Sequence, residues 1–346
     1  NHPHPLTAPD IPVSTANFLN MARDASDLSG QPWLSVLLGY PVLGIWYWCA
    51  DQTIVQRVLA AKDERHARLG PLFCAFIKIL PVFIFVLPGV ICVALVQQGA
   101  FGGDAPANAA DTYTFLITHP LPAGLTRLVT AAMLAAAMQT CSAALNSTAT
   151  LFAYDIVKRY WPQTSDHRLV LVGKITTVVG TVLAIISSPI FGQKDTVFQA
   201  LTDLICYIAP PITAVFLFGV FWKGATARAA YLALVLGNLV GVAIFFLDLF
   251  QPHTGWNLVQ DWHLRTTGME LTSMIASFYL CVACGAIIVV VSRLSPQPLK
   301  EEARLLVWED WREPLRGESH GRGLGNYRVL SIVVSATFVV LYFLFR

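Results

Sequence analysis

Long apolar runs alternate with shorter polar stretches along the chain, and the length of the runs says what they are. Eight of them lie at about 33–56, 71–97, 124–153, 169–191, 196–222, 226–249, 270–292 and 327–345. A bilayer's hydrocarbon core is crossed by roughly 20 apolar residues in a helix, so each run predicts a transmembrane span. The pattern as a whole predicts an all-α membrane protein of about eight transmembrane helices.

Charge between the runs orients them. Arg57, Lys62, Arg65 and Arg68 follow the first span, Lys158, Arg159 and Arg168 the third, and Lys223 and Arg228 the fifth. The long connection after the seventh carries Arg293, Lys300, Arg304, Arg312, Arg316, Arg322 and Arg328. The alternate loops are poor in cations: 98–123 has Asp104 and Asp111 with no Lys or Arg, 192–195 has only Lys194, and 250–269 only Arg265. Cytoplasmic loops collect Lys and Arg, which predicts an N-terminus outside and the end of the first span in the cytoplasm. Residues 1–32 then read as an extracellular loop and 293–326 as a cytoplasmic one. Within the latter, LLVWEDW (305–311) reads either as a short interfacial helix with Trp308 and Trp311 at the headgroups or as an ordinary loop.

Composition agrees. Of 346 residues, 55% are hydrophobic and 13% charged, for a net charge of +2, and the mean hydropathy is +0.59. A soluble protein of this size carries far more charge. No Lys/Arg stripe with interleaved aromatics is present, which argues against nucleic acid as a partner. The cysteines at 49, 74, 92, 141, 206, 281 and 284 all fall inside apolar blocks, where Cys acts as a small apolar residue. Cys281 and Cys284 form a CxxC, but in a predicted span without a second ligand pair, so helix packing is the better reading. The chain starts at Asn1 with no signal peptide before the first span, which reads as the back portion of a longer protein.

Polar groups inside a span are costly and usually face the protein interior or a water-filled path. Lys78, in CAFIKILPVF, is one. Its amine could serve a hydroxylated substrate or an intramembrane carboxylate, or could snorkel to the interface two turns from a span starting at Pro71. Gln199, Thr202 and Asp203 are three and four residues apart and share a helix face suited to polyol hydroxyls, cations or Lys78. Pro210 and Pro211 further along predict a kink or break exposing backbone carbonyls. The third span carries AAAMQTCSAALNSTAT (135–150). Close packing through small residues explains it on composition alone. A sharper reading has Ala136, Gln139 and Thr140 aiming oxygens at one point, as part of an oxygen cage for sodium. In GIWYWCADQ (44–52), Trp46, Tyr47 and Trp48 precede Asp51 and Gln52, which fits a sugar-stacking site or a gate better than an interfacial belt.

Three stretches, WYWCADQTIVQRVLAAKD (46–63), LNSTATLFAYDI (145–156) and APPITAVFLFGVFWKG (209–224), carry a resemblance. In order and spacing they resemble the sodium:solute symporter family, in its sodium/glucose cotransporter-like branch with the LeuT-type inverted-repeat fold. The resemblance implies two inverted five-helix repeats with ligand at broken helices near the midplane. It places 33–222 as the second five-helix repeat, 223–292 as two peripheral helices and 327–346 as the last helix, with the first repeat missing. By position, Tyr47 resembles the aromatic inner gate beneath the sugar with Trp48 beside it, and Lys78 the sugar-contacting lysine. Asp51 and Arg57 match polar residues of the signature helix, with a structural or gating role. Thr202 stands where sugar carriers usually have Gln, and Gly44 replaces a polar residue; Gln199 or Asp203 would have to compensate. The paired hydroxyls of the family's sodium site align with Gln139 and Thr140, and a second ion position with Ser142 and Ala143.

The implied activity is sodium-coupled symport of a sugar or related polyol by alternating access, across the plasma or inner cell membrane. A sodium-independent facilitator or sugar sensor is the alternative that Gln139 favours, and inositol, an amino sugar or a carboxylate are alternative cargoes. An enzyme is disfavoured: His2, His4, His66, His119, His167, His253, His263 and His320 all lie outside the predicted spans, and no paired intramembrane carboxylate or nucleophile elbow is present.

Overall fold

The computed structural model describes residues 33–107, 111–191, 197–254, 273–299, 301–304, 306–308 and 323–344. The expected extracellular loop 1–32 and residues 309–322 of the expected cytoplasmic loop lie outside them. Among the described residues every regular element is a helix, and no strand occurs. Among the described residues, seven helices are long and apolar enough to cross a membrane, or eight if one bent pair counts as a span. The chain divides into two compact units, one of residues 56–197 and one that joins 33–55 to 198–344.

In the second unit, α1 (Trp33–Cys49) and α2 (Gln52–Leu59) are the bent pair, turned by 46° at 50–51. α2 itself runs across the boundary between the units, at 55–56. The unit continues with α8 (Val197–Phe221), α9 (Ala227–Thr254), α10 (Ser273–Leu294), the single turn α11 (Glu301–Arg304) and α12 (Tyr327–Leu344). Gly39 lets α1 lie against α10, because a Cβ there would run into the Met274 carbonyl. Thr213 of α8 donates its hydroxyl to Val42 O of α1 at 3.0 Å. Ala214, Ala229, Ala233, Cys284 and Ile288 form the buried core among α8, α9 and α10.

Pro210 and Pro211 were expected to kink or break α8, yet the helix runs through both. Pro211 has no N–H to give the Tyr207 carbonyl. Gly241 of α9 lies so close that a Cβ would strike that oxygen. One turn back, a Cβ on Gly237 would stand 2.7 Å from Pro211 Cγ. The GxxxG pair thus forms the seat into which the proline face of α8 packs.

The first unit holds α3 (Glu64–Ile77), α4 (Leu87–Gln97), α5 (Thr112–Thr118), α6 (Ala123–Thr150) and α7 (Asp166–Phe191). Helix α3 begins seven residues before the expected start at Pro71. Asp63 caps it by accepting from His66 N–H at 2.8 Å, and Glu64 pairs with Arg68 one turn on. From Glu64 to Gln97 the chain forms one 34-residue span, interrupted by a turn at Lys78–Ile79 and a π-helical segment at Val82–Val86. Prolines explain the irregularity. Pro81 and Pro88 withdraw the donors that Ile77 and Ile84 would use in a regular helix. The Tyr113 hydroxyl donates to Ile84 O at 3.3 Å in place of the second. Helix α5 lies in a connection read from sequence as a plain loop. It is anchored by Phe115, which meets Phe101 edge-on at 5.0 Å and stacks on His119 at 3.9 Å. Helix α6 continues as a π-helical segment, Leu151–Lys158, and both pack along α7, where Gly180 leaves room for Leu145. His167, expected outside the spans, lies in the first turn of α7.

Candidate functional site

The break in the first span is built from its own residues. Asp51 N–H, which a regular helix would direct to Tyr47 O, donates instead to Trp46 O at 2.9 Å, beside Ala50 N–H at 2.8 Å. Asp51 then starts α2. Its carbonyl accepts from Val55 N–H at 2.9 Å, and its carboxylate accepts from Thr53 N–H at 2.7 Å and from the Thr53 hydroxyl. A carboxylate at the positive end of a helix is favoured by the dipole as well as by these bonds. Just before the break, Tyr47 and Trp48 are half-buried with their rings edge-on at 5.5 Å. Aromatic faces therefore meet a polar discontinuity inside a membrane-length segment, an arrangement that can stack a ring-shaped polyol and offer it backbone groups.

In the same unit Thr202 and Asp203 are half-buried in the first two turns of α8. Gln199 belongs to that helix, with a side chain outside the described ones. Arg57 falls in the other unit, exposed in the last turn of α2, where a cation complements the helix C-terminus.

Lys78 is exposed and follows Ile77 at the interruption of the 34-residue span. Because α3 starts at Glu64, Lys78 lies about 21 Å along the helix from its beginning rather than two turns. Snorkelling toward that end is correspondingly harder.

Ala136, Gln139, Thr140 and Ser142 all lie exposed on α6. The Thr140 hydroxyl donates to Ala136 O at 3.0 Å, so these two oxygens already adjoin. Donating its proton leaves the hydroxyl oxygen its lone pairs, and with the Gln139 amide oxygen and Ser142 hydroxyl the set is all-oxygen. Such donors suit a hard cation.

One contact escaped the sequence reading. Gln56 Nε2 donates to Ser147 Oγ at 2.8 Å, and the Ser147 hydroxyl donates to Ala143 O at 2.9 Å. Ser147 is buried. The bond ties Gln56 of α2 to α6 within the first unit. The only signal available was that both residues are polar within membrane-length runs.

Residues 7–237 match the sodium:solute symporter family. The chain is similar to a sodium/myo-inositol cotransporter 2 of Oryctolagus cuniculus, at 32% identity over 83% of this chain and 44% of the relative. It is similar also to a sodium/mannose cotransporter of Bos taurus, at 31% over 86% of this chain and 51% of that protein. A sodium/myo-inositol cotransporter of Mus musculus is 32% identical over 84% of this chain and 42% of its own length. The chain thus spans about half the length of the curated relatives it matches.

Proposed function

The chain belongs to the sodium:solute symporter family, and from that premise we propose that it serves sodium-coupled symport of a cyclic polyol, a sugar or an inositol, by alternating access. It acts as a transporter rather than an enzyme. The helix break at 50–51 carries this reading, because a span broken beside paired aromatics suits a solute site in this architecture.

Each residue then has a part. Tyr47 and Trp48 present ring faces to the C–H face of the solute, while Lys78, Thr202 and Gln199 donate to its hydroxyls. Asp51 holds the lower half-helix, and Asp203 and Arg57 serve gating or local structure. Ala136, Gln139, Thr140 and Ser142 supply oxygens to sodium. Residues 33–222 form the second five-helix repeat, followed by peripheral helices. The protein lies in a plasma or inner cell membrane with the start of the first span outside, as the loop cations suggest.

Uptake of labelled myo-inositol, mannose and glucose into proteoliposomes holding the full-length protein, with and without an inward sodium gradient, tests this. Accumulation of at least one solute should require sodium. Uptake indifferent to sodium would overturn the coupling and favour a facilitator or sensor, a reading that rests on Gln139 standing where the family has a hydroxyl. In that case Gln139→Ser should create a sodium response.

A further inference from the structure

At the end of α8, α9 and α10 that carries Lys223 and Arg228, the chain folds back on itself. The Trp308 N–H donates to Val220 O at 3.0 Å, supplying a helix-end carbonyl with a donor, and the Trp308 ring meets Phe221 edge-on at 5.1 Å. Across the same end, Thr226 N–H donates to Ser292 Oγ at 3.1 Å. The folded-back segment roofs a cavity of about 320 Å³ whose walls include Phe218, Trp222, Ala230, Ile288, Leu299 and Val307. Ligand sites begin at about this size. Thr226 and Gln297 are the polar side chains that line it, and Thr226 is already bonded to Ser292. So apolar a space gives water few partners and suits an apolar chain.

The rim has the opposite character. Arg228 and Arg304 are exposed, and each is the direct chain neighbour of a lining residue, Ala227 and Ala303 respectively. Their Cα atoms are therefore about 3.8 Å from those of the lining residues. Trp222 and Trp308 mark this end as lying at headgroup level, where indole rings collect.

We propose that this cavity is a lipid site that takes an acyl chain of an anionic phospholipid, with the lipid phosphate between Arg228 and Arg304. An apolar slot beneath a cationic rim matches a molecule that is hydrocarbon at one end and anionic at the other. A soluble metabolite would find too few polar partners inside, and a zwitterionic lipid would gain little from the rim. The site is independent of which solute the protein carries.

Binding of phosphatidylglycerol and phosphatidylcholine to the delipidated full-length protein in detergent, followed by native mass spectrometry, tests the site. Phosphatidylglycerol should bind more tightly. Arg228→Gln and Arg304→Gln should each reduce that preference about fivefold. Ala230→Leu should abolish tight binding by filling the cavity, with helix content unchanged by circular dichroism. Ala227→Leu, at an exposed position of the same wall, repeats the test should Ala230→Leu fail to fold. Inorganic phosphate should not displace the lipid. Equal binding of the two lipids, a preference untouched by the rim variants, binding that survives the filled cavity, or displacement by phosphate would each overturn the proposal.

Discussion

Asp51→Ala attacks the break where the first span divides. In the native chain the carboxylate accepts from both Thr53 N–H, at 2.7 Å, and the Thr53 hydroxyl, and it stands half-buried at the start of an eight-residue helix. Loss of an N-cap costs about 0.5–2 kcal/mol. Two turns of helix offer little else to hold the first N–H groups, and charged acceptors bind more strongly than neutral ones. The upper figure of about 2 kcal/mol is therefore expected, close to a 30-fold shift toward an unravelled α2. Asp51→Asn keeps an acceptor oxygen at the same place and should recover most of the loss. Amide hydrogen exchange over 52–56 reads the helix directly, and sodium-driven uptake by the full-length protein reads the consequence. Exchange in Asp51→Ala that matches the wild type would refute the capping argument. An Asn variant with normal exchange but no uptake would show instead that the charge itself is required.

Gly241→Ala should destabilise the protein by about 1–3 kcal/mol, since the obstructing atom is the Tyr207 carbonyl oxygen and backbone cannot swing aside. Thermal unfolding in detergent checks it against Gly219→Ala, where a Cβ meets nothing within 4 Å; equal melting of the two would be the contrary result. Lys78→Ala should raise the KM for solute with the protein still inserted, and unchanged uptake kinetics would remove Lys78 from the site. The His66 N–H and ring hold the Asp63 carboxyl below its ordinary range. A depressed value means that the cap on α3 contributes fully above about pH 4 and is lost as pH falls through the lower, folded-state value. Protection of the amides at residues 64–67, taken relative to the unstructured exchange rate at each pH, should therefore fall under acid in the wild type and stay level in Asp63→Asn; parallel protection profiles would contradict this.

The broad architecture was legible because it depends on run length alone. Eight apolar blocks near the crossing length predicted the membrane-length helices that the structure contains, since bilayer thickness sets a requirement that local composition either meets or does not. The polar residues worth attention stood out for a related reason: a span leaves few places for Asp51, Lys78 or Thr202 to be incidental. The departures came where one residue's effect depends on what packs against it. A proline removes a donor in any setting, yet Pro210 and Pro211 leave α8 continuous because Gly237 and Gly241 from a helix distant in sequence accept that face. Pro71 did not mark a helix start, because Asp63 and the Glu64–Arg68 pair had already begun one. Residues 306–308, read as part of a possible interfacial helix, are non-helical and tied to the end of α8 through Trp308 and Val220. Gln56 and Ser147, 91 positions apart, meet only when α2 lies on α6. Sequence by itself determined which segments must leave water, because that is a sum over neighbouring residues. Which carbonyls find donors, which glycines must stay bare and where a cavity closes depend on atoms contributed by other helices, and only the tertiary structure decided them.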